Sequence, residues 1–248
     1  MYMTAPWSSV DIDGKTADVL DAPGVDCPRF GTLFLHGHGL ETLHDRPAFS
    51  RILEELRLAC VCPHGQHSWW GDRVCTEFDA TITPERYILD SVVRFFRDRW
   101  GLAPPAIGIF GISMGGQGAL RLAFKHPQQF PVVAGISSAL DYHDLYGQGS
   151  TIDAMYDSKE QCRQDTALMH VPPVGYPPHI FFCIDPTDAD WCRGNDRLHE
   201  KLSALGIAHE IAFTTCAGGH SWDYFEHMAE RVERFMSAGL EQETRRLL

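Results

Sequence analysis

Ser113 stands between two glycines in the segment Gly111-Ile112-Ser113-Met114-Gly115, directly after an apolar run and directly before a stretch with helical character. A serine hydroxyl is a weak nucleophile at neutral pH and needs a neighbouring base. The setting suits such a role. A G-x-S-x-G turn between strand and helix strains the serine backbone and exposes the hydroxyl at the tip of a sheet. The flanking glycines leave room for neighbouring backbone to approach. The following helix aims its N-terminal amides at the place where an oxyanion would form. A glycine-rich turn used only for packing has the same spacing, but the strand-turn-helix context favours chemistry.

The base is expected after the last strand. In "CAGGHSWDYF", residues 216–225, His220 follows two glycines and precedes the last helix. A lone histidine there could cap a helix, yet its loop position at the C-terminal edge of a sheet favours a general base that is lost as pH falls and the ring protonates. A carboxylate between the two in sequence would hold the imidazole tautomer and stabilise the imidazolium. "CIDPTDADWCRGND" offers Asp185, Asp188 and Asp190. Asp185 ends a strand and suits a cap of the turn before Pro186, and Asp190 suits a solvated surface. Asp188, a little past the strand end, is the preferred acid, with its neighbours left as alternatives. The order Ser, Asp, His fits an α/β-hydrolase.

Two backbone donors are needed to hold an oxyanion. The Met114 N–H, next to the serine, is one. "LHGHGL", residues 35–40, supplies the other at the end of an earlier strand, assigned to His38 with Gly39 close behind. His36 and His38 also form an H-x-H pair, but no third ligand is indicated nearby, so neither a metal nor any other cofactor is expected.

The elements that must position these residues alternate between strand and helix. "SVDIDGKTADVL" reads as a hairpin around Asp13-Gly14. Strands are predicted at Thr32 to Gly37, "LACVCP", Ala106 to Ile112, Val132 to Ser137, His179 to Asp185 and His209 to Thr215. Helices are predicted at Arg46 to Arg57, Thr83 to Gly101, Met114 to Lys125, Gly194 to Gly206 and Trp222 to Gly239. This rhythm implies one α/β domain over 1–248, a mostly parallel central sheet with helices on both faces. The segment Ala139 to Pro178, rich in Gly, Pro, Tyr and His, breaks the rhythm and reads as a cap or lid excursion.

Composition narrows the partners. The chain has 248 residues, is 44% hydrophobic and carries a formal charge of −12, which disfavours nucleic acid and anionic membranes. No apolar run is long enough to span a bilayer. Met1 to Val10 lacks the basic and apolar regions of a secretory signal, so a cytoplasmic location is expected. The eight cysteines contain no C-x-x-C pair, and several lie in apolar runs, as buried reduced thiols do.

Together, "FLHGHG", "GISMGGQGAL" and "GGHSWDYF" resemble the family of α/β-hydrolases named Putative esterase, which includes esterase D, tributyrin esterases and antigen-85-like mycolyltransferases. The resemblance implies Ser113, Asp188 and His220 as a triad, His38 and Met114 as oxyanion donors, and a small-molecule ester as substrate. It leaves the acyl and alcohol groups and the oligomeric state open. Trp69, Trp70, Trp191 and Trp222 are candidate pocket walls, and Arg73, Arg163 and Arg193 candidate anion contacts, although surface ion pairs are the commoner use. Ester hydrolysis through an acyl-enzyme is the leading expectation. Acyl transfer to an alcohol, peptide hydrolysis and a non-catalytic binding role are the alternatives.

Overall fold

Asp13 and Gly14 reverse the chain between β1 (Ser8–Ile12) and β2 (Lys15–Leu20), both with positive φ, 50° and 80°. Such a two-residue turn matches the twist of the paired strands. The computed structural model describes residues 7–246, so most of the stretch searched for an export signal, residues 1–6, lies outside the described residues. Beyond the hairpin come β3 (Gly31–Leu35), α1 (Pro47–Leu56) and β4 (Ala59–Pro63). After the next helix follow β5 (Ile107–Ile112), α4 (Met114–Lys125), β6 (Val132–Ile136), β7 (His179–Cys183), α8 (Cys192–Ala204), β8 (Glu210–Ala212) and α9 (Trp222–Arg246).

The eight strands form one sheet in the order β1-β2-β4-β3-β5-β6-β7-β8. β1 and β2 are antiparallel additions at one edge, and the other six strands run parallel. Alternate residues of each strand feed opposite faces. Leu33 and Leu35 join one core with Val92, Phe96, Leu122 and Leu198, while Phe34 joins the other with Phe49, Leu53, Val232 and Met236. This is the mostly parallel α/β architecture anticipated from the sequence. None of the eight cysteines, all among the described residues, is in a disulfide.

Most strands and helices end within about two residues of their sequence-based bounds, and three elements differ more. The helix expected over Thr83 to Gly101 is α2 (Pro84–Tyr87), a π turn (Ile88–Val92) and α3 (Val93–Trp100). Its buried side chains Ile88, Val92, Phe96 and Trp100 recur every fourth residue. That spacing drifts around an ideal helix of 3.6 residues per turn, and a wider turn brings the row back to one face. β8 is only three residues long because it is an edge strand, paired to β7 from Glu210 to Ala212. Gly239 does not end α9. A Cβ there would lie 2.8 Å from Val132, so this glycine lets the helix approach β6.

The segment 139–178 contains a 3₁₀ turn (Tyr142–Leu145) and three short helices, α5 (Thr151–Met155), α6 (Lys159–Gln164) and α7 (Ala167–His170). Arg121 of α4, 1% exposed, ties it to the body. Its guanidinium pairs with Asp165 of the segment and with Glu85 of α2. Tyr156 Oη donates to Asp165 at 2.7 Å. Burial would raise the Asp165 pKa, but His170 and Arg121 outweigh it and hold the carboxyl at about 2. A charge buried this way is stable only while its partners remain.

Candidate active site

Ser113 follows β5 and precedes α4 with φ 53° and ψ −118°, a conformation that L-residues rarely adopt. The surrounding structure enforces it. Ser113 N–H donates to Ile136 O at 2.9 Å, and Ser113 O accepts from Gln117 N at 3.1 Å and Ala139 N at 3.0 Å. A Cβ on Gly115 would sit 1.9 Å from Leu35 O, and one on Gly111 would sit 2.4 Å from the Gly115 backbone. The strained serine therefore depends on two positions where only glycine fits.

His220 lies in the loop between β8 and α9, after Gly218 and Gly219, both with positive φ. Its Nδ1 is 2.7 Å from Asp188 Oδ2 and its Nε2 is 2.9 Å from Ser113 Oγ. An ionised carboxylate can only accept, so Nδ1 carries the proton and Nε2 presents a lone pair to the serine O–H. Asp188 is 2% exposed, and its other oxygen accepts from Trp191 N at 3.3 Å. Phe225 meets the His220 ring edge-on at 5.3 Å. The structure thus brings Ser113, His220 and Asp188 into one hydrogen-bonded row that can pass a proton from the serine to the imidazole.

The two neighbouring acids are placed differently. Asp185 is buried just past the end of β7. Its Oδ1 accepts from Thr187 N and Oγ1, and its Oδ2 accepts from Ala217 N at 2.6 Å and Gly219 N at 2.9 Å. It binds the loop of Asp188 to the loop of His220. Sequence reasoning missed this second role; the signal was a carboxylate at the end of an apolar strand, where burial demands several donors. Asp190 is exposed.

His38 lies in the loop after β3, beside Ser113, and Met114 begins α4. Burial and the neighbouring His67 ring, 4.3 Å away, lower the His38 pKa. Next to them is a cavity of about 250 Å³ bounded by Gly37, His38, Glu41, Ser113, His220 and Trp222. A larger groove of about 590 Å³, bounded by Pro105, Pro131, Tyr176 and Arg246, shares none of these residues.

Of the four tryptophans expected as pocket walls, Trp222 lines the cavity. Trp69 and Trp70 do not. They are 2% and 0% exposed, because their rings pack into the core on one face of the sheet. Trp69 stacks on Tyr142 at 4.7 Å, and Trp70 fills the space over Gly65 and Gly118. Trp191 stands outside the cavity lining, its ring 6.5 Å from that of His220. Arg163 and Arg193 are engaged in ion pairs with Glu160 and with Asp141 and Asp144. Arg73 packs over Tyr156.

The fold and the serine turn define an α/β-hydrolase. The model of the family described as Putative esterase matches residues 35–232, and the chain belongs to that family. It is accordingly an enzyme that hydrolyses esters. No curated protein matches the chain significantly. Among solved structures, an S-formylglutathione hydrolase from Agrobacterium tumefaciens is similar, with TM-score 0.78 and 16% identity, covering 97% of this chain and 98% of that one. The fluorophosphonate-binding serine hydrolase F of Staphylococcus aureus gives TM-score 0.76 at 17% identity, covering 94% and 99%. MPT51 of Mycobacterium tuberculosis gives 0.73 at 14%, covering 94% and 99%. At these identities the likeness is one of fold. Among the described residues no helix is long and apolar enough to cross a membrane.

Proposed function

We propose that the protein hydrolyses small carboxylic esters through an acyl-enzyme on Ser113, with His220 as general base and acid and Asp188 as its orienting carboxylate. The observation that carries this reading is the hydrogen-bonded row Asp188–His220–Ser113, with links of 2.7 and 2.9 Å. Ser113 Oγ bonds to the acyl carbon as its proton passes to His220 Nε2. The carbonyl oxygen becomes an oxyanion facing the N–H groups of Met114 and His38. Collapse breaks the bond to the alcohol, which leaves with the proton from Nε2. A water then gives its proton to Nε2 and attacks the acyl carbon, releasing the acid and restoring Ser113.

Intact-mass analysis after treatment with a fluorophosphonate tests the assignment without knowledge of the substrate. One adduct is expected on the wild type and none on Ser113→Ala. Hydrolysis of p-nitrophenyl acetate by Ser113→Ala should fall by about 10⁴-fold or more. An adduct that persists on Ser113→Ala would move the nucleophile elsewhere.

A further inference from the structure

His36 directly follows β3 and is 1% exposed, with both ring nitrogens engaged by backbone. Gly65 N–H reaches Nε2 at 2.9 Å. An amide can only donate, so Nε2 is the unprotonated nitrogen and Nδ1 carries the hydrogen. Nδ1–H then donates to Gly37 O at 2.8 Å. The backbone of His36 is held as well: Trp70 Nε1–H donates to His36 O at 3.1 Å, and the two rings meet edge-on at 5.0 Å. A Cβ on Gly65 would lie 2.3 Å from the Trp70 ring, which keeps that amide close to the imidazole.

The carbonyl that His36 holds belongs to the peptide unit joining Gly37 to His38. A trans peptide is planar, and its C=O and N–H point in opposite directions. Fixing the Gly37 oxygen therefore fixes the direction of the His38 N–H. Gly37 lies against the nucleophile, where a Cβ would be 3.2 Å from Ser113 Cβ, so this N–H works at close range. Leu40 N–H also donates to Gly37 O, at 3.1 Å, a longer contact than that of the ring.

We propose that His36 is the positioning residue of the oxyanion hole, its ring locking the Gly37–His38 peptide so that the His38 N–H faces the oxygen of an acyl group on Ser113. This inference rests on the reading of Ser113 and His38 given above. His36 takes no part in proton transfer, since neither ring nitrogen is free. Burial, the largest influence on it, lowers its pKa to about 4, which keeps one nitrogen a donor and the other an acceptor. The device joins the loop after β4 to the loop after β3, so that a segment without contact to the acyl group sets the direction of a donor.

Two amide variants separate the two ring contacts. An asparagine amide reaches the place of Nδ1, and a glutamine amide reaches that of Nε2. His36→Asn should keep the donor to Gly37 and retain kcat for p-nitrophenyl acetate within about 3-fold. His36→Gln should lose it and lower kcat by about 10- to 100-fold with KM within about 2-fold, as expected when a donor aimed at the transition state is misplaced. Equal kcat in both variants, whether high or low, would overturn the proposal. Ser113→Ala serves as the control: if it stays active, the reading of the site has failed, whereas an inactive Ser113→Ala beside two equal His36 variants rejects the role of His36 alone. Where a variant does not fold, ¹⁵N–¹H correlation of the wild-type imidazoles decides. An Nδ1–H tautomer for His36 is required, and an Nε2–H tautomer would exclude the lock.

Discussion

Asp185 accepts the backbone N–H of Gly219 at 2.9 Å, one residue before His220, and so holds the His220 loop against the loop that follows β7. Two carboxylates three residues apart thus divide the work. Asp188 touches the imidazole, and Asp185 fixes the backbone on which that imidazole stands. Burial would raise the pKa of Asp185, but the hydrogen bonds from Thr187, Ala217 and Gly219 outweigh it and hold the carboxyl well below its usual range. Its stabilising effect is therefore present above the unfolded value of 3.8 and is lost as pH falls through the depressed folded value.

The two acids should respond differently to substitution. Asp188→Asn should lower kcat by about 10⁴-fold, because the imidazole loses the acceptor that sets its tautomer, with little change in stability. Asp185→Ala should cost about 3 kcal/mol in urea unfolding, because several loop amides lose their acceptor. Its kcat should fall by about 10-fold through misplacement of His220. If Asp185→Ala lost as much activity as Asp188→Asn with unchanged stability, the assignment of the two roles would have to be exchanged.

The division between these acids also marks how far the sequence was informative. Strands and helices were readable because apolar residues repeat with period two or near four, and Gly14, Pro47, Pro84 and Gly101 punctuate them. Ser113 and His220 were readable because glycines flank one and precede the other in loops at strand ends. Asp185 and His36 were not assigned their positioning contacts, since a buried polar residue is defined by donors that come from distant segments. The pocket walls were legible only in part. A tryptophan shortly after a strand can line a cavity, as Trp222 does at the head of α9, or fold under its loop, as Trp69 and Trp70 do, and the choice depends on the packing partners Gly65, Gly118 and Tyr142.

Gly115 offers a direct test of the serine turn. A methyl group there would meet Leu35 O at 1.9 Å, a contact that neither backbone segment can relieve without moving β3 or the head of α4. Gly115→Ala should therefore lose more than about 4 kcal/mol of stability or fail to accumulate as folded protein, the range reached by severe core defects. Thermal and urea unfolding provide the measurement. A variant with wild-type stability and activity would mean that β3 and the turn are farther apart than this geometry requires.

Trp222 should limit the size of one substrate group. Its ring lies under the Arg46 guanidinium at 3.7 Å, its indole N–H donates to Glu41, and Arg46 pairs with Glu41 at 3.1 Å and Glu226 at 3.3 Å. Beyond Glu41 is a second groove of about 400 Å³, lined by Asp18, Thr42 and Arg46 among others. Replacing Trp222 with alanine should extend the cavity beside Ser113 toward that groove. In a p-nitrophenyl ester series from acetate to octanoate, Trp222→Ala should raise the kcat/KM of longer esters relative to acetate by about 10-fold, the scale of one or two methylene contacts. Arg46→Ala should move the profile in the same direction by less, by releasing the ring. An unchanged chain-length profile in Trp222→Ala would remove this residue from the specificity wall.

Glu233 of α9 is fully buried, and neither carboxylate oxygen has a hydrogen-bond partner. It sits on the face of α9 that also buries Val232 and Met236. Burial alone pushes its pKa well above the usual 4.5 of a glutamate. Because the folded value is the higher one, the proton is held more tightly in the folded state. Stability linked to Glu233 is fully present below the unfolded value and is lost as pH rises toward the folded value. Glu233→Met, which keeps the length of the side chain and removes the charge, should therefore stabilise the protein at pH 7 by about 1–4 kcal/mol. The advantage should shrink as pH is lowered toward 4.5 and level off below it, where the wild-type carboxyl is protonated in both states. Urea unfolding of the two proteins at matched pH values measures the gap. A gap that stays constant between pH 4.5 and 7, or a less stable Glu233→Met at pH 7, would mean that the carboxylate has a partner holding its charge inside the helix–sheet interface.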